Sequence, residues 1–525
     1  MTASTGAPAP EQREKWSGQT AFILAAVGSA VGLGNIWRFP GQAYESGGGA
    51  FMIPYLIALV TAGIPLLLLE NGIGHRFRGS APLALRRVHK RAEGVGWFQI
   101  AVSFVIGLYY TVVIAWAVSF FFFSFNLDYA EDPAGFFIGE YLQLGDEVKL
   151  GFDIVPGVMW PLLAIWAIAI IVLALGVHNG VERLNVVGIP LLVVTFIVLA
   201  VRAMMLDGAM DGIEALFTPD FSALADINVW IAAYGQVFFS LSLAYGVMIT
   251  YASYRKKRSN MTAPAFVVAF GNCSFSLLAG FAVFGAIGFL AHEQGVSVAE
   301  LDGLTGVSLS FITFPAVIAQ MPGGPIFGAA FFASLVIAGL TSLISLLQTI
   351  SAALQDKFGW HPRGSAVAVG LIMATLSVLG FSTTTGLYLL DTVDQWSNQL
   401  GIVAGAIGMV AAVMIARRGR EIALHLSAVS TLGVGRAWRV LVVGVSLLLT
   451  YMLVRKTVEL ATQGYEGYPG EYLAVFGWGT AGFLVLIAIV LPLMPWHRAI
   501  AEFDAWPTEG QLEEAAAGAA RKGGA

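Results

Sequence analysis

The sequence predicts an all-α integral membrane protein of about twelve transmembrane helices. Three observations carry this. Of 525 residues, 57% are hydrophobic and only 12% charged, against about 25% charged in an average soluble domain, and mean hydropathy is +0.77. The apolar runs are many and long, as spans of about 20 residues require. Basic loops alternate with acidic ones along the chain.

Splitting the apolar runs at Gly, Pro and charge clusters predicts helices 1–12 at 17–43, 48–75, 96–126, 155–176, 182–206, 228–254, 262–291, 325–356, 364–382, 387–416, 436–462 and 471–496. Segment 305–323 is amphipathic and ends in Pro322-Gly323-Gly324, so it reads as a re-entrant or capping element between helices 7 and 8. As a true span it would flip everything after it. Arg76, Arg78, Arg86, Arg87, Lys90 and Arg91 lie between helices 2 and 3. Arg255, Lys256, Lys257 and Arg258 lie between helices 6 and 7, and Arg417, Arg418 and Arg420 between helices 10 and 11. These loops share one side if the helix count is right, and that side is cytoplasmic by the excess of Lys and Arg. The opposite loops are acidic, with Asp128, Glu131, Asp132, Glu140, Asp146 and Glu147, then Asp207, Asp211, Glu214 and Asp220. Both termini are therefore expected in the cytoplasm and the chain in the plasma membrane.

The single cysteine, Cys273, excludes an intrachain disulfide. A net charge of −5 without a basic tract gives no sign of nucleic-acid binding. Met1 to Pro10 are small and polar with no apolar stretch, a disordered tail and not a cleaved signal.

Two helices should break. Helix 1 runs Val27-Gly28-Ser29-Ala30-Val31-Gly32-Leu33-Gly34-Asn35, and Arg38 and Pro40 follow. Each glycine in a helix interior costs about 1 kcal/mol against Ala. Small residues also serve close helix packing in membranes, but the adjoining Asn35, Arg38 and Pro40 favour unwinding. Helix 6 carries Phe239-Ser240-Leu241-Ser242-Leu243-Ala244-Tyr245-Gly246, with hydroxyls and a glycine in mid-span. Two interrupted segments five helices apart are the pattern of an inverted-repeat transporter, in which unwound carbonyls and half-helix ends bind a cation and a zwitterion at the midplane. Irregular backbone survives in a membrane only where it is buried or lines such a cavity. Helices 1–5 (13–206) then form one repeat and helices 6–10 (228–416) its inverted partner, with helices 11 and 12 at 436–496 and tails at 1–12 and 497–525.

The stretch G-L-G-N-I-W-R-F-P at 32–40, followed by E-S-G-G-G-A-F-M-I-P-Y at 45–55, resembles the signature of the neurotransmitter:sodium symporter family. The likeness continues through G-Q-V-F-F-S-L-S-L at 235–243, I-T-Y-A-S-Y at 249–254 and A-G-L-T-S at 338–342. It covers roughly residues 13–400 and implies the LeuT-type fold of 5+5 helices with helices 1 and 6 broken.

Carried over by motif, the resemblance implies two sodium ions. The first site resembles the Ala30 carbonyl with Asn35, Ser240 and Asn272, completed by a substrate carboxylate; the family often has Thr where Ser240 stands. The second resembles the carbonyls of Gly28, Val31 and Ala338 with the hydroxyls of Thr341 and Ser342. Taken singly, a Ser, Thr or Asn in a span makes an interhelical hydrogen bond. The implied substrate pocket comprises Ala30, Leu33, Gly34, Ile106, Tyr110, Phe239, Ser240, Ser242, Tyr245, Ser342, Leu343 and Leu346. Gly34 would let backbone amides at a half-helix N-terminus meet a carboxylate, and Tyr110 would donate its hydroxyl to it. Monoamine-transporting relatives place an Asp where this chain has Gly32, so the substrate should bring its own carboxylate. Chloride is implied as well. Chloride-independent bacterial relatives typically carry an acid four residues beyond the helix 7 Asn, where this chain has Ser276, and Tyr55, Gln236, Ser240 and Asn272 fill the family's other chloride positions.

Arg38 and Asp394 resemble the family's outer gate; Arg13, Trp16, Ser253, Tyr254 and Asp356 resemble its inner one. Arg13 and Asp356 read by themselves as solvated charges. Glu70, inside helix 2, reads as a carboxylate bracing broken backbone. Gly180 and Pro190 have the spacing that accompanies unwinding of helix 5 in relatives. The implied function is sodium-coupled, chloride-dependent import of a neutral amino or imino acid by alternating access, with the lipid bilayer as surroundings and no protein partner evident. A carboxylated osmolyte such as a betaine or GABA-like compound is the alternative substrate. Against an enzyme stands the lack of HExxH, GxSxG and CxxC motifs, with the seven His scattered. A sensor built on the same fold would be expected to carry a signalling domain, and the tail 497–525 shows no evident fold. A channel would need a continuous pore and not gates on both sides.

Overall fold

The protein is described by a computed structural model over residues 14–301, 303–304, 306–497, 507–508 and 510–512. Lipid offers the backbone no hydrogen-bond partners, so each long apolar run closes its bonds internally as helix. The first run forms α1 (Gln19–Ala30) and α2 (Gly34–Glu45), bent by 55°. Then come α3 (Gly49–Phe77), α4 (Lys90–Phe123), α5 (Pro156–Ala174) and α6 (Val177–Met204). The sixth run is also split, into α7 (Ile227–Ser240) and α8 (Val247–Ser253). It is followed by α9 (Thr262–Gln294), α10 (Gly324–Phe358), α11 (Pro362–Phe381), α12 (Gly386–Ile415), α13 (Arg436–Gln463) and α14 (Gly470–Leu493). Among the described residues, ten unbroken helices are long and apolar enough to cross a membrane. The bent first run makes eleven, and the split sixth run stands where the twelfth is expected. Segment 305–323 contains the apolar helix Gly306–Gln320, too short to span.

Burial sorts the helices into an inner and an outer set. The apolar window of α4 is 89% buried, against 28% in α13 and 17% in α14. The core therefore centres on α4, and the last two helices face outward with apolar side chains such as Leu447 and Leu493 exposed.

The three basic loops touch one another on one face. His75 at the end of α3 lies 2.9 Å from the Lys256 carbonyl and 2.8 Å from His425 on the short helix Gly419–Val429. Its neighbour Arg76 pairs with Glu421 at 2.8 Å. Burial, with His75, Arg76 and Arg78 around it, pushes His425 down to about 2. On the same face the buried Glu93 holds Lys357 at 2.7 Å and also pairs with Arg86.

The two breaks are tied to each other and to the core. After Ala30 the chain is extended at Val31, with φ −77° and ψ 106°. A Cβ on Gly32 would stand 2.8 Å from the Tyr110 hydroxyl, so glycine lets the break lie this close to α4 without displacing that side chain. In the second break Ser242, Ala244 and Gly246 adopt φ of 50°, 64° and 73°. For the two non-glycine residues the left-handed conformation costs about 1–2 kcal/mol each, and such strain persists only where surroundings over-determine it. Here they do. The Ser242 hydroxyl donates to the Ser29 carbonyl (2.7 Å), Ser103 donates to the Tyr245 carbonyl (2.8 Å), and the Ala244 N–H donates to Glu70 (2.7 Å). Glu70 is fully buried and braces the broken backbone as its sequence position suggests. At the start of α6, residues Val177–Glu182 form a wide π-helical turn around Gly180, with Pro190 further along the helix.

Candidate functional site

Where the two breaks meet α4 and α10 they enclose a pocket of about 30 Å³. It is lined by Ala30, Gly34, Ile106, Tyr110, Phe239, Ser240, Ser242, Tyr245, Ser342 and Leu346, with Ser29, Gly32 and Asn35 added to the expected set. Leu33 and Leu343 are buried but do not line it. The contribution of Leu33 is its backbone N–H, which donates to the Tyr110 hydroxyl at 3.3 Å. Among the described residues no ionisable carboxylate or amine lines the pocket.

Hydrogen-bond directions fix the atoms on one side of this pocket. The Gly32 N–H donates to the Asn35 side-chain oxygen at 3.0 Å. The Asn35 amide nitrogen must then face away, and it meets Asn272 at 2.8 Å and the Ser276 hydroxyl at 2.8 Å. The Asn272 atom in that contact is therefore its oxygen. That same oxygen stands 3.1 Å from the Ala30 carbonyl and 3.2 Å from the Ser240 carbonyl. The Asn272 oxygen accepts the Asn35 N–H, and no donor stands between it and the two carbonyls. Swapping the Asn272 amide would satisfy the carbonyls but would set two amide nitrogens against each other at 2.8 Å.

A second group of oxygens lies between α1 and α10. The Ser342 hydroxyl is 3.1 Å from the Gly28 carbonyl, 3.5 Å from that of Ser29 and 3.4 Å from that of Val31. One hydroxyl proton serves one of these, so oxygen is again in surplus. Thr341 donates to the Ala338 carbonyl at 3.0 Å. Asn185 of α6 adjoins this group. Its side-chain oxygen is buried without a hydrogen bond, and a Cβ on Gly28 would collide with it at 1.8 Å.

Behind the first oxygen group lies a third cluster. The Tyr55 hydroxyl is fully buried and faces Ser240, Cys273 and Ser276. Gln236 donates to the Gly34 carbonyl at 3.2 Å, and its own oxygen is unpartnered. Asn272 donates to the Ser240 hydroxyl at 3.0 Å, and Ser276 donates to the Asn272 carbonyl one turn back at 3.2 Å.

The pocket is closed unequally toward the two faces. Toward the acidic loops lies a cavity of about 400 Å³ that holds Arg38, Asp394, Tyr109 and Tyr465 and shares Tyr110 and Phe239 with the pocket. The Arg38 guanidinium lies over the Phe239 ring, 4.8 Å from its centre. Asp394 accepts from Asn398 at 2.6 Å. Among the described residues Arg38 and Asp394 make no direct ion pair, although both line this cavity. Toward the basic loops the path is packed shut. Trp16 is buried against Phe22, Tyr251 and Tyr254 and donates to the Tyr251 carbonyl at 3.0 Å. Gln348 donates to the Tyr254 hydroxyl at 2.9 Å, and the Ser80 N–H donates to Asp356 at 2.7 Å. The Ser253 hydroxyl turns back onto its own helix, to the Thr250 carbonyl at 2.6 Å, while Arg78 holds the Ser253 carbonyl at 3.1 Å. Arg13 lies outside the described residues. Phe22, Tyr251 and Gln348 were not foreseen in this seal.

Comparison with known proteins places this architecture. Residues 13–132 and 126–500 match the profile of the sodium:neurotransmitter symporter family. The chain belongs to this family. The symporter is 39% identical over 486 residues to an uncharacterized sodium-dependent transporter of Methanocaldococcus jannaschii, covering 92% of this chain and 98% of the relative. It is 30% identical over 560 residues to the sodium- and chloride-dependent glycine transporter 1 of Xenopus laevis, with 95% and 85% covered. Its fold matches the crystal structure of MhsT in complex with L-phenylalanine, with a TM-score of 0.71, 30% identity, and 85% of this chain and 99% of that chain covered. The protein is thus a multi-pass, sodium-dependent membrane transporter, as its motifs imply.

Proposed function

We propose that this symporter imports a small neutral amino or imino acid together with two sodium ions and a chloride ion, by alternating access across a membrane whose cytoplasmic side holds the basic loops. The observation that carries the reading is the surplus of oxygen at the two breaks. Ala30, Ser240 and Asn272 on one side, and Gly28, Val31 and Ser342 on the other, present acceptors to one another without enough protons between them. A hard cation resolves that arrangement, since oxygen donors suit it. Asn35, Ala338 and Thr341 complete the two sets. Next to the first set, the α2 end of the break and the Tyr110 hydroxyl offer donors to a carboxylate. The relatives named for glycine transport and for binding L-phenylalanine support an amino-acid substrate.

The walls support this substrate class. Ile106, Phe239, Tyr245 and Leu346 surround a space of about 30 Å³, room for about two waters. A large side chain requires Phe239 or Leu346 to swing away, and a charged one is left unpaired at a cost of several kcal/mol. Uptake in proteoliposomes under a sodium gradient, screened over unlabelled competitors, tests both points. Glycine, alanine or proline should compete at least about tenfold better than lysine or glutamate, a difference of about 1.4 kcal/mol. Equal competition by the charged amino acids refutes the substrate class; absence of sodium-driven uptake of any amino acid refutes the function.

Alternating access requires the 400 Å³ cavity to close over the pocket. Arg38 and Asp394 are the charges placed to do it, directly or through water. Asp394→Ala should cut uptake about tenfold or more while sodium-dependent substrate binding persists, because the loss falls on closure and not on the pocket. Uptake at the wild-type rate would leave the pair a structural role only.

A further inference from the structure

Between the end of α12, the short helix Gly419–Val429 and the start of α13 lies a cavity of about 730 Å³ on the basic face. Arg417, Arg420, Arg436 and Arg439 rim it. Among the described residues no carboxylate pairs with any of these four. The nearby acid, Glu421, is consumed by Arg76 and by Arg418 at 2.6 Å. The Arg439 Nε is buried and makes no hydrogen bond. Four guanidinium groups held on one cavity repel one another, and a buried N–H without an acceptor is costly. The rest of the lining is apolar. Val440, Val443 and Leu447 lie on one stripe of α13, and Val440 and Leu447 are 70% and 69% exposed. Gly444, on the same stripe, has nothing within 4 Å of where a Cβ would stand. From Arg439 to Leu447 the helix rises about 12 Å, from a charged rim into hydrocarbon.

We propose that this groove binds an anionic phospholipid. Its phosphodiester sits among the four arginines, whose planar forks match phosphate oxygens, and one acyl chain runs down Val440, Val443 and Leu447. Charge complementarity selects the headgroup, and the open apolar stripe selects a lipid over a free anion. Basic pockets between transmembrane helices on this side of a bilayer are suited to such headgroups.

Native mass spectrometry of the full-length, delipidated protein tests the assignment, with phosphatidylglycerol and phosphatidylcholine of identical chains as probes. Both lipids carry a phosphodiester, but the choline cation of phosphatidylcholine is repelled by the four arginines, so phosphatidylglycerol should bind at least about tenfold more tightly. At about fivefold per arginine near the phosphate, the double variant Arg436→Gln/Arg439→Gln should weaken it about 25-fold. Lys90→Gln/Arg91→Gln, on the cavity at the other side of α12, should leave it unchanged. Should the double variant misfold, Arg420→Gln alone should still cost about fivefold. Equal binding of the two lipids, unchanged affinity in the arginine variants, the same loss from the Lys90/Arg91 variant, or displacement by equimolar inorganic phosphate would each overturn the proposal.

Discussion

Asn272→Ala is expected to raise the sodium concentration for half-maximal substrate binding by about 30-fold or more, with substrate unable to compensate at low sodium. The Gly32 N–H orients Asn35, and Asn35 orients Asn272, so that the Asn272 oxygen faces the Ala30 and Ser240 carbonyls at 3.1 and 3.2 Å. Removing the amide takes one ligand from a desolvated cation. Interactions with a charged partner contribute about 1.5–3 kcal/mol each, or about 10- to 150-fold in affinity. Asn35→Ala should lose about as much, since Asn35 both orients Asn272 and offers its own oxygen. Scintillation binding across a sodium titration measures the effect on protein that elutes as wild type in size exclusion. A half-saturating sodium concentration within twofold of wild type in Asn272→Ala would remove this oxygen group from the transport cycle.

The outline of that site was legible for different reasons at different residues. Helix limits came close, as with 262–291 against Thr262–Gln294, because a long apolar run in lipid has no alternative to helix. The first break announced itself through Gly28, Gly32 and Gly34, which a straight helix has no reason to carry. The second was less explicit. Ser242 and Ala244 are held left-handed by Ser29, Glu70 and Ser103 from other helices, and nothing local to 239–246 states that. Leu33 and Leu343 were assigned to the pocket by motif alignment; both are buried, and neither is among the residues that line it. The break presents the backbone of Leu33, and alignment does not distinguish backbone from side chain. Asn185 gave no signal because its neighbour, Gly28, lies on another helix. Charges in an apolar run pointed to Arg38 and Asp394, but their separation depends on the state of the cavity between them. The four-arginine groove was read only as loop charge, since the apolar floor beneath it becomes visible only when α12 and α13 are packed.

Uptake by the wild type is expected to fall at least about tenfold when chloride is replaced by gluconate, and Ser276→Glu is expected to restore it. Two sodium ions with a zwitterion leave net positive charge in a region of low dielectric, where uncompensated charge costs several kcal/mol even after relaxation. Among the described residues no carboxylate lines the pocket. Compensation is available behind the first oxygen group. The Tyr55 hydroxyl is buried there against Ser240 and Ser276, and the Gln236 amide, which donates to the Gly34 carbonyl, closes the same corner. Hydroxyl and amide donors suit a halide. The competing account is that Ser276 only packs, since its hydroxyl donates to the Asn272 carbonyl one turn back, and that Glu70 supplies the charge. The two accounts separate cleanly. If Glu70 compensates, gluconate leaves wild-type uptake intact and Glu70→Gln abolishes it. If an anion compensates, gluconate abolishes wild-type uptake, and Ser276→Glu transports in gluconate because the fixed acid stands where the anion was. Undiminished wild-type uptake with contaminating chloride excluded would end the chloride reading.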